Sequence, residues 1–302
     1  MDQNRYAKDW NKYATGWDNQ FGDRYAHLGD EWNDDSTPGR KRDLYYFSIY
    51  AERFLAERMT VLELGPGGGK WTVRIAPLVK RLIVLDISEQ MLERTKARCE
   101  SLGIKNVDYL LSAGRDFQPI PDDSIDFFFT HDVLVHIALE DIWPYTQEIA
   151  RVLAPGGCGA SHYAVNTIPQ AWNRIEQNNE WYRFGRNTLG QYYYYSPEAL
   201  REMFEICGLI VGEQHQEAWN YVCIFEKPLN SIVPTLERLL RELLSEEANN
   251  DQYRSQVIAK LRSLPSQLEK SLTSLLEQAQ NESDYYKRVK YGAEIRRLWR
   301  GR

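Results

Sequence analysis

The chain contains the stretch Thr60-Val61-Leu62-Glu63-Leu64-Gly65-Pro66-Gly67-Gly68-Gly69-Lys70-Trp71, in which an apolar strand runs into a glycine-rich turn. The residues after the turn, Trp71-Thr72-Val73-Arg74-Ile75-Ala76, have spacing compatible with a helix. Glycine is favoured where the backbone adopts positive φ or must approach a ligand without a Cβ in the way. A strand, turn and helix of this kind predict a nucleotide-sized site at the carboxyl end of a parallel sheet.

Spacing distinguishes three ligand classes that use such turns. A P-loop requires glycine where Leu64 stands and a hydroxyl where Trp71 stands, so this motif is excluded. A dinucleotide fingerprint requires a third glycine at the position of Lys70. The pattern Glu63-x-Gly65-x-Gly67-x-Gly69 instead resembles motif I of the class I S-adenosylmethionine-dependent methyltransferases. A βα turn without a ligand remains the alternative for this motif alone.

Composition limits the remaining possibilities. The chain has 302 residues, 43% of them apolar, which suits one α/β domain with an accessory segment. A net charge of −6 argues against general nucleic-acid binding, since phosphate is bound by clustered positive charge. The four cysteines form no CxxC pair, and no apolar run approaches the roughly 18 residues of a membrane span. We therefore expect a cytoplasmic protein with no membrane span.

Apolar strands alternate with amphipathic helices, which indicates a parallel sheet covered on both faces. Together with the resemblance, this predicts an α/β, Rossmann-like sheet of seven strands. The expected strands are 61–64, 81–86, 107–111, 124–130, 157–165, 209–213 and 218–226, and the expected helices are 42–58, 71–79, 89–102, 141–153 and one opened by Ser196-Pro197-Glu198. The predicted domains are 1–45, a core at 46–228 with an insert at 166–196, and an extension at 229–302.

The two ends of the chain carry separate expectations. Trp10, Tyr13 and Trp17 recur at helical spacing, so they form either a helix packed on the core or a lid over a bound cofactor. Residues 229–302 show heptad-like apolar spacing, which predicts two or three helices and a possible homo-oligomer through them. The basic end from Tyr285 to Arg302 is either a solvated helix end or a contact for an anionic partner.

The resemblance covers about residues 46–227 and implies positions for the cofactor, S-adenosylmethionine. Glu63 and the three motif glycines would surround its amino-acid part, and Asp86 at the tip of the second strand would bind the ribose. Asp86 could otherwise cap the following helix. Ile87 would lie on the adenine, with Gly114 and Arg115 at its edge. Thr130 would lie beside the transferred methyl group, and Tyr13 and Trp17 would contact the cofactor from the lid.

A hydroxyl acceptor must lose a proton during methyl transfer, so a base within hydrogen-bond reach is expected. The candidates lie at the tips of the fourth and fifth strands: His131, Asp132, His136 and His162. Asp132 and His162 could also hold a divalent ion, although no spacing requires it, and we expect no metal. The aromatic insert and lid favour a small-molecule acceptor, such as a hydroxyl of a sugar, glycan or specialised metabolite. Methylation of nitrogen or carbon is one rival, and a catalytically silent assembly protein is another.

Overall fold

A computed structural model describes residues 5–30, 47–173, 175–176, 192–217 and 220–228. The expectations for most of the insert and for the extension at 229–302 lie outside these residues. Contacts group the chain into Met1–Phe204 with Ile210–Lys227, and Glu205–Leu209 with Pro228–Arg302. The sheet and the site described below belong to the first unit.

One mixed sheet forms the core of the first unit, in the order β3-β2-β1-β4-β5-β8-β7. Strands β1 to β5 pair in parallel, and β8 runs antiparallel to both β5 and β7. The strands are β1 (Thr60–Leu64), β2 (Arg81–Asp86), β3 (Val107–Leu111), β4 (Ile125–Thr130), β5 (Leu153–Val165), β6 (Tyr194–Tyr195), β7 (Ile210–Glu217) and β8 (Asn220–Glu226). Because the strand order reverses at β1, a crevice opens at the carboxyl ends of β1 and β4.

The helices lie on the two faces of the sheet and at its carboxyl edge. They are α1 (Arg5–Phe21), α2 (Thr72–Ile75), α3 (Glu89–Ser101), α4 (Leu139–Val152) and α5 (Pro197–Ile206), with 3₁₀ turns at Glu52–Phe54, Ala76–Leu78 and Leu134–His136. Ser196 caps α5 as expected, because its Oγ accepts from the N–H of Ala199 at 3.1 Å. Within the described residues, no helix is both long and apolar enough to cross a membrane.

The central strands are buried on both faces, as their apolar sequences predict. On one face, Phe127 and Phe129 of β4 pack with Trp71, Phe47 and other apolar side chains that are almost fully buried. Stacking of Phe47 on Trp71, with ring centroids 5.5 Å apart, joins the segment before β1 to the residue after the glycine turn. This packing fixes the direction in which the chain leaves β1.

The structure differs from the predicted elements in several places, and β7 extends to Glu217 where the predicted strand ends at residue 213. The two-residue strand β6 extends the sheet beside β5, within the segment that we had assigned to the insert. The helix expected at 42–58 is described only from residue 47, and it gives way to a turn and the 3₁₀ segment Glu52–Phe54. The helix expected at 71–79 becomes 3₁₀ at Ala76–Leu78, because Pro77 has no N–H to continue the ladder. Strand β5 begins at Leu153, which pairs with Ile125.

Candidate active site

The glycine turn after β1 offers open space at one position. Gly67 has φ of +58°, and a Cβ added there would meet only Leu28 Cδ2 at 4.0 Å. Neighbouring Gly68 is different, because its added Cβ would lie 2.0 Å from the carbonyl oxygen of Leu28. The turn therefore has room for a ligand at Gly67, whereas Gly68 is required for the N-terminal segment to pack closely.

The other two motif glycines accommodate neighbouring elements. A Cβ on Gly65 would lie 2.3 Å from Cγ2 of Val133, just past the end of β4. A Cβ on Gly69 would lie 3.2 Å from Cγ2 of Thr95 on α3. Gly65 lines the cavity described below and Gly69 does not. The two residues allow β4 and α3 to approach the turn.

Glu63 is a buried carboxyl beneath this turn. Glu63 is 1% exposed, and its Oε2 accepts a hydrogen bond of 2.7 Å from the hydroxyl of Thr72. Burial raises the pKa of Glu63 to about 8, against the lowering effect of that hydrogen bond. The carboxyl holds the first residues of α2 against β1, and it does not line the cavity.

Asp86 ends β2 and lines the cavity. Burial raises its pKa to about 7, although backbone N–H groups of Ser88, Gly67 and Ile87 favour the ionised form. Ser88 caps α3 with its own hydroxyl, which accepts from the N–H of Met91. Asp86 is therefore not the helix cap, and it accepts from the N–H of Ser88 at 2.9 Å. A carboxylate has about four lone-pair positions, so acceptor capacity remains for a ligand hydroxyl.

A cavity of about 780 Å³ extends from the glycine turn to the tip of β4. Its lining includes Asp86 and Ile87 at one end and His131, Asp132 and His136 at the other. The helix α1 closes a third side with residues including Tyr6, Trp10 and Tyr13. The volume lies in the upper half of the roughly 300–1,000 Å³ typical of small-molecule sites.

Helix α1 is held in this position by polar contacts with α3. Arg94 makes hydrogen bonds of 3.1 and 2.6 Å to the carboxylate of Asp18 and one of 3.1 Å to the carbonyl of Ala14. Trp17 is 1% exposed and packs with Ala14, Leu28 and Met91, so it lies in the core beneath α1 and not in the cavity lining. Of the three possible lid residues named from the sequence, Trp10 and Tyr13 line the cavity and Trp17 does not.

Aromatic rings from three separate segments form a continuous wall of the cavity. The rings of Trp10 and His136 lie 5.3 Å apart between centroids, and those of His136 and Tyr192 lie 5.0 Å apart. Tyr13 extends the wall on the other side of Trp10, at 6.0 Å. Flat apolar faces of this kind suit a ring-shaped ligand.

His131 and Asp132, just past the end of β4, come together with His162 on the neighbouring strand β5. Oδ2 of Asp132 lies 3.1 Å from Nδ1 of His131, and Oδ1 lies 3.0 Å from Nδ1 of His162. The Asp132 side chain is 57% exposed, and attraction to the two imidazoles holds its pKa well below the ordinary value. Burial lowers the pKa of His131, against the raising effect of Asp132. A neutral imidazole beside a carboxylate is suited to accept a proton.

These three side chains each offer one possible ligand atom, all within 4.8 Å of one another. The imidazole rings, however, are stacked, with centroids 4.4 Å apart and planes inclined by 12°. An ion is bound in the plane of each imidazole, and parallel planes in van der Waals contact cannot both contain it. The arrangement is therefore unsuited to a shared metal ion and fits a carboxylate that contacts two imidazoles.

Several residues named from the sequence lie outside the cavity lining. They are Glu63, Gly69, Gly114, Arg115, Thr130, His162 and Trp17. The N–H of Gly114 donates to Ser112 at 2.9 Å, and Arg115 donates to Asp141 at 3.1 Å, so both have partners within the protein. Thr130 and His162 are buried, at 1% and 2% exposure. His162 lies directly behind the cavity residue His131.

Other lining residues were missed by sequence reasoning, among them Tyr6, Leu28, Gly29, Lys70, Val133 and Tyr145. Lys70 was visible only as the residue that breaks the dinucleotide pattern. Leu28 and Gly29 follow a polar stretch that carries no motif. Only the folded contact between this segment and Gly68 reveals their place beside the glycine turn.

Comparison with known proteins agrees with this geometry. Residues 61–157 match a family model described as a methyltransferase domain. The tRNA 5-carboxymethoxyuridine methyltransferase of Escherichia coli K12 is 31% identical over 111 residues, which are 35% of this chain and 42% of that enzyme. The chain therefore spans under half the length of this curated relative.

Solved structures support the fold. A Haloferax volcanii methyltransferase complex with the Trm112 activator aligns with a TM-score of 0.52 at 19% identity, covering 73% of this chain and 98% of that one. The [4+2]-cyclase SpnF aligns with a TM-score of 0.57 at 14% identity, covering 76% and 97%. These likenesses establish the Rossmann-like methyltransferase fold, and the cyclase illustrates that this fold alone does not fix the reaction.

The family match, the strand order and the turn at Gly65–Gly69 agree with one another. The cofactor of this family is S-adenosylmethionine. The open space at Gly67 and the acceptor capacity of Asp86 fit a nucleoside at the β1–β2 end of the cavity. Residues 61–157 therefore match the methyltransferase domain family, and the chain has the fold of the class I S-adenosylmethionine-dependent methyltransferases.

Proposed function

We propose that this protein transfers a methyl group from S-adenosylmethionine to a hydroxyl of a ring-containing small molecule, such as a sugar or a specialised metabolite. The observation that carries the proposal is the single cavity lining that runs from Asp86 to the aromatic wall and His131. When bound, S-adenosylmethionine supplies an electrophilic methyl group on a positively charged sulfur. The residues of the chain hold, orient and shield the two reactants.

In this proposal Gly67, Asp86 and Ile87 bind the nucleoside, and the remaining space beside the aromatic wall takes the acceptor. Positioning reacting atoms in a near-attack geometry accounts for a large share of enzymatic acceleration. Helix α1 serves as a lid, because Tyr6, Trp10 and Tyr13 cover the cavity and would exclude water from it. The candidate bases lie at the acceptor end, where Asp132, His131 and His136 line the cavity with His162 behind them.

A small acceptor is favoured over RNA despite the tRNA substrate in the name of the E. coli relative. The net charge of this chain is −6, and RNA backbones are bound mainly by clustered positive charge. The cavity wall at Trp10, His136 and Tyr192 presents ring faces. Methylation of nitrogen or carbon would use the same cavity without requiring a histidine base.

The test begins with calorimetric titration of S-adenosylmethionine into the wild-type protein and into Gly67→Ala. Incubation with methyl-labelled cofactor and separate panels of hydroxylated ring compounds, amines and tRNA then identifies the acceptor class by mass spectrometry. We expect cofactor binding that Gly67→Ala abolishes, and label on ring hydroxyls. Absence of cofactor binding, or label confined to amines or tRNA, would refute the proposal.

The extension at 229–302 enters this proposal as an interaction segment. Its heptad-like apolar spacing supports association with a second copy of the chain or with a partner protein. A catalytically silent assembly role would rest on the same segment. The labelling experiment separates the two, because an assembly protein would bind the cofactor weakly and release no S-adenosylhomocysteine.

A further inference from the structure

Two histidines lie side by side because β4 and β5 run parallel in a fixed register. Thr130 of β4 pairs with Ser161 of β5, so the next residues, His131 and His162, are adjacent across the strands. Their rings stack with centroids 4.4 Å apart. His131 lines the cavity, whereas His162 is 2% exposed and lies behind it.

Asp132 turns back onto both rings. Its backbone has φ of +58°, a left-handed conformation that aspartate tolerates better than most residues. This turn places Oδ2 of the carboxylate 3.1 Å from Nδ1 of His131 and Oδ1 3.0 Å from Nδ1 of His162. The backbone N–H of Asp132 also donates to Nδ1 of His162, at 3.2 Å.

The last contact distinguishes the two histidines. Nδ1 of His162 can accept the Asp132 N–H only when it carries no proton, which satisfies a neutral ring. Nδ1 of His131 lies 3.1 Å from the carboxylate and, among the described residues, has no hydrogen-bond partner. The same carboxylate cannot neutralise two charged rings at once.

The charges around His131 also favour the uptake of one proton and disfavour a second. Among the described residues, Asp132 is the negative group that favours a charge on His131, while His162 on β5 and the ammonium of Lys70 on the glycine turn each disfavour it. Trp71 and Phe129 pack against its ring and carry no charge. The surroundings therefore compensate one added proton and oppose a second.

We propose that His131, Asp132 and His162 form a one-proton unit, in which His131 takes up a proton with Asp132 as its counterion while His162 stays neutral by accepting the Asp132 N–H. The unit rests on the proposed function for its role. As the acceptor oxygen bonds to the methyl carbon, the methyl–sulfur electron pair stays on sulfur and the hydroxyl proton passes to His131. His131 is then the catalytic base, and Asp132 and His162 are positioning residues.

The test measures protonation directly in the full-length protein, without cofactor or acceptor. With only five histidines in the chain, ¹³C-labelled histidine gives a spectrum simple enough to assign by substitution. Titration runs from about pH 9 to about pH 4, which spans ordinary imidazole protonation. We expect His131 to charge with a midpoint below 6.5, and we expect the two stacked rings together to take up one proton.

Two variants and one control sharpen the result. Asp132→Asn keeps the size and tolerates the positive φ, and it should lower the His131 midpoint by about one pH unit or more through loss of the counterion. His162→Phe keeps a stacked ring without charge and should raise that midpoint. His215→Asn, on β7 beside Glu213, should leave it unchanged.

Independent, complete protonation of both rings would overturn the proposal, as would an unchanged His131 midpoint in Asp132→Asn. Zn²⁺ or Mn²⁺ added at stoichiometric concentration should leave both resonances in place, and a shift of both would replace the proton unit by a metal site. Because the titration needs no methyl transfer, failure of the unit and failure of the proposed function are separate results.

Discussion

The hydroxyl of Tyr6 on α1 donates a hydrogen bond of 3.1 Å to Oδ2 of Asp141, in the first turn of α4. The same hydroxyl accepts from the N–H of Ala138, at 3.3 Å. Asp141 also accepts from Arg115 through its other oxygen. Two phenolic contacts therefore join the start of α1 to the N-terminal end of α4.

Tyr6→Phe should loosen the beginning of α1 without unfolding the protein. A hydrogen bond of this kind contributes about 1 kcal/mol, so cofactor affinity should fall roughly fivefold if α1 closes over the ligand. Hydrogen exchange should accelerate in the first turns of α1. Thr15→Ala, which removes a hydroxyl bonded only within α1, serves as the matched control. Equal exchange in both variants would contradict the lid.

Gly67→Ala and Gly68→Ala should fail in different ways. At Gly67 the new methyl group has space but stands where a ligand would approach, with backbone strain of roughly 1–2 kcal/mol from positive φ. Cofactor binding should be lost with a modest decrease in Tm. At Gly68 the methyl group collides with the Leu28 carbonyl, so the larger loss should be in Tm. Thermal unfolding and calorimetry on both variants check this contrast.

Glu63→Gln should change how stability depends on pH. The pKa of Glu63 is raised from 4.5 to about 8 on folding, so the folded state holds a proton that the unfolded state releases between these values. Stability from this carboxyl is complete below 4.5 and is lost as the pH rises through about 8. Glutamine retains an acceptor for Thr72 and cannot ionise. The wild type should lose more Tm than the variant between about pH 6 and about pH 9, and identical slopes would exclude a protonated Glu63.

From the raised pKa of Asp86 we expect cofactor affinity to increase with pH. Its pKa is raised to about 7, and the ionised form is the better acceptor for ribose hydroxyls. The association constant should rise by up to about tenfold per pH unit below 7 and level off above it. Asp86→Asn should weaken binding by roughly 1.5–3 kcal/mol and remove this slope. Calorimetry across the pH range would count against the assignment if the slope persisted in the variant.

A chain that ends at Pro228 should still bind the cofactor but change its state of association. The expectation comes from the apolar heptad spacing of 229–302, since such stripes bury themselves on a partner. Sedimentation of the full and shortened chains compares their masses, and calorimetry compares cofactor binding. Identical association of both chains would remove the proposed interface.

Sequence reasoning predicted the elements around the glycine turn well, because their determinants are local. Strand β1, its glycine turn and the end of β2 lie within 27 residues, from Thr60 to Asp86, and β2 was predicted with its observed bounds. The family assignment and the cofactor are confirmed by the match over residues 61–157. Even so, the sequence could not show that Gly65 and Gly68 are needed for packing against Val133 and Leu28.

The acceptor end was less accessible, because it is built from distant segments. Trp10, His136 and Tyr192 meet only after α1, the end of β4 and the approach to β6 are assembled. Strand β6 was missed because two residues are too few to show a hydrophobic period. Trp17 was placed on the lid because helical spacing does not tell which of two apolar faces is buried. Helix periodicity predicts which residues share a face, but it does not predict what packs against that face.

The irregular pairing at the beginning of β4 has an effect at its far end. Between the pairs Ile125–Leu153 and Phe127–Cys158, the single residue Asp126 stands opposite residues 154–157. Side chains alternate with a period of two, so shortening this excess by one residue would turn β5 over relative to β4. His162 would then lie on the opposite face from His131. The spacing at the beginning of β4 therefore determines which side chains of β5 lie beside His131. Shortening the segment that contains Pro155 and Gly156 would change this arrangement as well as the length of the segment.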